Sequence, residues 1–383
     1  MHIFISTGEV SGDLQGGILV QALKEQAAKL NKELKITALG GDRMETAGAT
    51  LLGNTTSIGS VGLLEAIPFV IPTLKLQNKT KKYLRENTPD VLVLIDYSAP
   101  NIAIGKYVKQ HLPQIPIVYY IAPQDWAVPM LGNAPKLVGF VDKLLAVFPQ
   151  EADYYKAKGI DVTWVGHPLL DKLEKVSDRV AAREVFTLNA QQPVITLLPA
   201  SRKQEIKQML PIIAEAAFLI QQQVPEVEFL IPVSLATYKP AIEAAVEKYG
   251  LNALIVENNS YDAIASADVA ITKSGTVNLE IALLDVPQVV LYKVHPFTAW
   301  VGRKLLKIDV PLMSPVNLVV EQEITPELQQ EAATPENVAK AALEILNSKE
   351  RSQYILEGYQ QMRSLLGEVG VTTRAAREII NLA

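Results

Sequence analysis

The chain contains no cysteine. Disulfides and thiolate metal sites are therefore excluded, and a reducing compartment fits. Histidine is scarce as well: His2, His111, His167 and His295 are scattered and form no spaced metal set. No apolar run reaches the roughly 18 residues that a membrane-spanning helix requires. The N-terminus, MHIFISTGEVSGD, does not read as a signal peptide, because its apolar part is short and acids follow at once. Positive charge is in deficit, the formal net charge being −5 at pH 7, which argues against a nucleic-acid partner. A soluble protein, or at most a surface-bound one, is expected.

Apolar residues make up 49% of the 383 positions, enough for two ordinary cores. Short β-branched runs alternate with helix-period segments almost throughout. The predicted strands are His2–Ser6, Lys35–Leu39, Val91–Ile95, Ile117–Ile121, Lys143–Val147 and Val162–Val165, then Val194–Leu198, Phe229–Pro232, Leu254–Val256, Val269–Thr272 and Gln288–Leu291. Runs apolar on both faces, separated by helices such as Gly16–Leu30 and Gln204–Gln222, predict parallel sheets covered on both sides. The charged stretch Asp171–Gln192 interrupts the series, which then restarts. Two doubly wound, Rossmann-like domains are expected, at residues 1–168 and 169–345. From Pro335 onward the chain holds two helical stretches and no strand, and residues 346–383 form a tail that packs back on the first domain.

In open parallel sheets ligands bind beyond the carboxyl ends of the strands, so the loops there are the place to seek chemistry. In the first, TGEVSGD, Gly8 and Gly12 permit close approach to backbone, and Glu9 and Asp13 bring carboxylates to the sheet's mouth. The glycine spacing is not that of a dinucleotide fingerprint, and two acids would repel its phosphates. The plainer alternative is a glycine turn with Asp13 or Ser11 capping the helix. In IDYSAPN, Asp96 ends a buried strand, where it either caps the next helix or faces the ligand, and Asn101 is placed to orient a substrate hydroxyl. IAPQDWAVP sets Gln124, Asp125 and Trp126 between prolines, and the tryptophan either packs or stacks on a sugar. His167, in GHPLLD, either donates to a phosphate or staples the linker. In LLPASRKQEI, Arg202 stands near a helix start, where backbone amides, the helix dipole and a planar guanidinium all suit phosphate. Lys203 either joins it or is solvated. Lys273, Ser274, Gly275 and Thr276 make a second anion-receptive strand-to-helix turn, and Glu280 lies four residues beyond Thr276 on the same helix face. A carboxylate there can accept two ribose hydroxyls of a nucleotide whose phosphates lie at the turn; capping by Ser274 or Thr276 alone would explain the turn but not the acid.

Taken in order, GEVSGD, GGDRM, VGLLE, IDYSAPN, PQDWA, VGHPL, LLPASR, SGTVNLE, PQVVLYK, HPFTAWVGRKLLK and SPVNL resemble the lipid-A-disaccharide synthase family of GT-B glycosyltransferases over nearly the whole chain. The resemblance implies two Rossmann-like domains facing a cleft and a metal-independent, cofactor-free, inverting transfer. The donor would be UDP-2,3-diacylglucosamine and the acceptor 2,3-diacylglucosamine 1-phosphate. It further implies that Arg202, Ser274, Gly275, Thr276 and Glu280 hold UDP, and that Asn317 lines the cleft with Gly8, Ser11, Asn101, Gln124, Trp126, His167 and Lys273. The setting it implies is cytoplasmic and peripheral, on the inner face of the inner membrane.

The chain also departs from the family. The usual IDAPDFN reads IDYSAPN, so the second aspartate, a favoured catalytic base, is Ala99. WAVP lacks the arginine that usually follows the aromatic core, LPGSR reads LPASR, and the usual Pro-Asn is Val316–Asn317. An inverting transfer needs a base for the attacking hydroxyl; Asp96, Glu9 or Asp13 must then serve. The open alternatives are a GT-B enzyme with another acceptor, a UDP-sugar epimerase, and a non-catalytic nucleotide-sugar or lipid binder. Val61–Arg85 passes from apolar to basic, which suits either lipid contact or a buried helix with a solvated end. HPFTAWVGRKLLK is a smaller patch of the same kind. A homodimer is compatible with the sequence, which does not specify one.

Overall fold

Every residue of Val91–Ile95 is buried, as a strand requires when helices cover both faces of its sheet. A computed structural model describes residues 1–56, 63–127, 132, 134–174, 176–199, 203–293 and 312–383, with the side chains of Glu9, 63–69 and 203–204 outside the description. One sheet contains β1 (His2–Ser6), β2 (Lys35–Gly40), β3 (Thr50–Asn54), β4 (Val91–Ile95), β5 (Ile117–Tyr120), β6 (Lys143–Ala146) and β7 (Val162–Trp164). Its order is β3-β2-β1-β4-β5-β6-β7 and all its pairings are parallel. The other contains β8 (Val194–Leu198), β9 (Glu228–Pro232), β10 (Ala253–Val256), β11 (Val269–Lys273), β12 (Gln288–Tyr292) and β13 (Glu327–Gln329). It runs β10-β9-β8-β11-β12-β13, again all parallel.

This order decides where ligands can enter. In each sheet the chain winds outward one way, returns to the middle, and winds outward the other way. The loops leaving the two central strands therefore diverge and open a crevice. In the first sheet those strands are β1 and β4, in the second β8 and β11. The α/β doubly wound architecture expected from the sequence is the one observed.

The chain divides into two units, residues Met1–Asp171 with Leu366–Ala383, and Lys172–Leu365. Asp171 ties the chain's end to the first unit. Its carboxylate accepts from the backbone N–H groups of Gly370 (2.6 Å), Val371 (3.0 Å) and Thr372 (2.8 Å) and from the Thr372 hydroxyl (2.7 Å). These amides open the helix Val371–Ile380, where unpaired N–H groups and the dipole favour an anion. That helix packs on Glu9–Lys29. Residues 346–383 are thus not one tail: helix Lys349–Leu366 lies in the second unit except for its last residue.

Two strands escape the sequence pattern, β3 and β13. Both are sheet edges, and neither has a fully buried residue. An edge strand half open to water has no need of a continuous apolar run.

Candidate functional site

In the first unit the loops after β1 and β4 pack closely. A Cβ on Gly8 would stand 2.4 Å from the Tyr97 ring, and one on Gly12 would stand 2.0 Å from the Thr7 hydroxyl oxygen. Neither glycine has a positive φ; contact, not backbone freedom, requires them.

Asp13 is 4% exposed and fully engaged. Its carboxylate accepts from the N–H groups of Gly41 (2.7 Å), Met44 (3.1 Å) and Arg43 (3.2 Å), at the start of helix Asp42–Thr46. The expected catalytic acid is a structural cap instead. Asp13→Asn turns an acceptor oxygen into a donor facing these amides and is expected to cost about 2 kcal/mol of stability. Chemical denaturation of the first unit reads this, and an unchanged midpoint would mean the amides find other acceptors. Glu9's side chain lies outside the described residues, and Ser11 is exposed.

Asn101 is likewise structural. It is fully buried, its Oδ1 accepts from the Ser6 hydroxyl at 2.7 Å, and its Nδ2 donates to the carbonyls of Ser6, Ile95 and Asp96. Its Nδ2 hydrogens are taken by main-chain carbonyls and the side chain is buried, so it clamps the end of β1 to the end of β4.

Asp96 differs from these. Its residue is exposed while its backbone is pinned in the left-handed region, with φ +45°, followed by Tyr97 at +49°. Non-glycine residues there cost of order 1–3 kcal/mol each and persist only when neighbours over-determine them. The neighbours are identifiable. The Asp96 carbonyl accepts from the Tyr119 hydroxyl (2.7 Å) and Asn101 Nδ2 (2.8 Å), and its N–H donates to the Ile121 carbonyl (3.1 Å). Ile121 is itself left-handed at +58°, an outlier for a β-branched residue. Three strained residues thus occupy the ends of two adjacent strands, the exposed Asp96 among them. Ala99 is exposed on the helix that follows.

The loop after β5 takes one of the two forms expected for it. Gln124 is exposed, but Trp126 packs, its ring centroid 5.3 Å from Phe148, whose own ring is 5.0 Å from His167. His167 is buried, and burial pushes its imidazole down to about 3. It is therefore neutral at physiological pH; its Nδ1 accepts from Leu169 N–H at 3.3 Å, so it staples the linker rather than offering a charge to phosphate. Residues 128–131 of this loop lie outside the described residues.

In the second unit β8 and β11 run side by side, Leu198 opposite Thr272. Arg202 lies outside the described residues, as do 294–311 with HPFTAWVGRK. At the turn after β11, Lys273 Nζ is 3.0 Å from Glu205 Oε1 and mostly buried, so its charge is already matched. The Ser274 hydroxyl donates to the Met313 carbonyl (2.8 Å), and Gly275 N–H donates to Asn278 Oδ1 (2.8 Å). Lys273, Ser274 and Gly275 shape the turn with groups expected to bind anions, while Thr276 is exposed. Asn317 too is structural, not a lining group. It is fully buried, its Oδ1 accepting from Ile324 and Thr325 N–H groups and its Nδ2 donating to the Thr325 carbonyl.

Glu280 is anchored through one of its oxygens. Its Oε1 accepts from Lys172 Nζ (3.1 Å) and from the Tyr261 hydroxyl (2.8 Å), and Lys172 Nζ lies 4.7 Å from the centre of the Tyr261 ring. Oε2 has no hydrogen-bond partner among the described residues, and the side chain is 16% exposed. One oxygen is anchored and the other is available to a donor such as a sugar hydroxyl. Lys172 and Tyr261 were not legible from sequence, since they reach Glu280 from 108 and 19 positions away. Among the described residues no group of three His, Asp or Glu is placed to hold a metal ion.

The family profile described as Lipid-A-disaccharide synthetase matches residues 3–380. The lipid-A-disaccharide synthase of Gloeothece citriformis is 53% identical over all of both chains, and that of Synechocystis is 50% identical over all of this chain and 98% of its own. The UDP-GlcNAc 2-epimerase of Neisseria meningitidis bound to UDP-GlcNAc shares the fold, with a TM-score of 0.66 at 12% identity over the full length of both. A full-length profile match and full-length relatives at half identity place this chain in the lipid-A-disaccharide synthase family of glycosyltransferases.

Proposed function

We propose that the chain joins two acylated glucosamines. It would transfer 2,3-diacylglucosamine from its UDP donor to 2,3-diacylglucosamine 1-phosphate with inversion at C1. The observation that supports this reading, beyond membership of the family, is the exposed Asp96 on an over-determined backbone at the β1/β4 crevice. Asp96 takes the proton of the attacking acceptor hydroxyl. That oxygen bonds to donor C1 from the face opposite the leaving group, the C1–O bond to the β-phosphate breaks, and UDP departs with the electron pair. Glu280 of the second unit accepts from the ribose through Oε2. Ala99 leaves the family's second acid position vacant, so the base role passes to Asp96. A coupled assay for UDP tests this: release should require the acceptor. Release at the same rate without it would favour hydrolysis or epimerisation.

The same reading includes peripheral membrane contact, because both substrates carry acyl chains. It is supported by helix Leu63–Glu86, where Val70, Ile71 and Leu74 are exposed at 49%, 65% and 53% and are followed by exposed Lys75, Lys79, Lys82 and Arg85. Exposed apolar groups beside cations suit an anionic lipid interface. No helix among the described residues is long and apolar enough to cross a membrane. Replacing both Ile71 and Leu74 by Glu is expected to weaken co-sedimentation with anionic phosphatidylglycerol vesicles by at least about tenfold. Equal sedimentation of the variant would remove this surface from the account.

A further inference from the structure

Glu151 stands third in helix Pro149–Lys156, is 1% exposed and is not among the family motifs above. Its carboxylate joins two loops. Oε1 accepts from Ala122 N–H (3.0 Å) after β5; Oε2 accepts from Val147 N–H (2.7 Å) and Phe148 N–H (3.3 Å) after β6. Ala122 directly follows the left-handed Ile121, whose carbonyl takes the Asp96 N–H. A chain of bonds therefore runs from the Glu151 carboxylate through the Ala122 amide and the Ile121 carbonyl to the Asp96 backbone.

We propose that Glu151 is a positioning residue for the transfer, fixing through Ala122 and Ile121 the backbone that aims Asp96. This rests on the reading of Asp96 as the base. A β-branched residue at φ +58° relaxes to an extended conformation once its neighbour is released. The Ile121 carbonyl then turns away from Asp96 N–H, and the carboxylate loses its aim. A displacement of about 1 Å at a reacting group is enough to cost about 10²-fold in rate.

The charge state of Glu151 matters because only the carboxylate accepts all three amides; a protonated oxygen is a donor facing donors. Burial pushes this carboxyl up to about 7, against the pull of its three backbone N–H partners and with a further push from Asp96. The other titratable groups coupled to it are Tyr120 on β5 and Tyr155 on its own helix, both raised by burial and neutral throughout. His167, on the far side of Phe148, is neutral down to about 3. A raised carboxyl means that the folded state holds the proton more tightly than the unfolded chain does. The stability contributed by Glu151 is therefore fully present below the unfolded value, near 4.5, and is lost as pH rises through about 7. Activity and this contribution to stability run in opposite directions between these values.

The experiment is the pH profile of kcat for the wild type, Glu151→Gln and Asp96→Asn, with UDP affinity measured alongside. The wild type should lose rate as pH falls through about 7 without a matching loss of Tm. Glu151→Gln should be about 10²-fold slower, lack that limb, and bind UDP as the wild type does. If Asp96→Asn retains activity, the base reading fails and this inference with it. If Asp96→Asn is inactive while Glu151→Gln keeps the wild-type rate and limb, the base reading stands and the positioning role is wrong. Should Glu151→Gln not fold, the wild type decides: a kcat flat from pH 8 to 5.5 overturns the proposal, and a limb with undiminished Tm supports it.

Discussion

Asp96→Asn is expected to lower kcat by about 10²–10⁴-fold, the usual contribution of a positioned general base. The substitution is chosen for its backbone. Asparagine adopts the left-handed region readily, so the φ of +45° and the three backbone hydrogen bonds that hold it should survive. The proton acceptor is lost while the backbone stays in place. UDP affinity should not change, because the nucleotide is assigned to the second unit. Steady-state kinetics with calorimetry separate these effects. Full activity in the variant would move the base to Glu9, since Asp13 is already committed to three amides.

Glu280→Gln is expected to weaken UDP binding by about 10- to 100-fold, the equivalent of losing a hydrogen bond to a charged acceptor, roughly 1.5–3 kcal/mol. Lys172 and the Tyr261 hydroxyl can still donate to an amide oxygen, so the side chain should keep its place. A second ligand sharpens the test. The wild type should bind 2′-deoxy-UDP less tightly than UDP, and the variant should bind the two nearly alike, because the hydroxyl and the carboxylate are partners in one interaction. Unchanged UDP affinity by calorimetry would refute the ribose assignment.

The sheets were legible in the sequence because their central strands are buried on both faces. β4 is five apolar residues in a row, all buried, and no helix period accounts for so short a run. The edge strands were not, since they bury too little to leave a pattern. The loops that carry polar residues were also found, but residue type alone could not say what each side chain touches. Asp13, Asn101 and Asn317 looked like ligand groups because they are polar and stand near strand ends. Each is spent within the fold, on backbone groups and, for Asn101, on the Ser6 hydroxyl as well; the partners of Asp13 lie 28 to 31 positions away, a distance at which sequence carries no pairing signal. The reverse holds for Glu151, whose Pro-Gln-Glu reads only as a helix start until the fold brings Ala122 beside it. Asp96 was visible as a residue, while the strain that aims it was not.

In the proposed reaction Asp96 takes the acceptor's proton, Glu280 holds the ribose of UDP, and two acylated sugars are joined. Mass spectrometry and anomeric NMR of the product, after incubation with UDP-2,3-diacylglucosamine and 2,3-diacylglucosamine 1-phosphate, address it most directly. One disaccharide 1-phosphate per UDP released is expected, with the configuration at the new linkage opposite to that of the donor. A folded, UDP-binding protein that yields no disaccharide, or one with the donor's configuration retained, would contradict it.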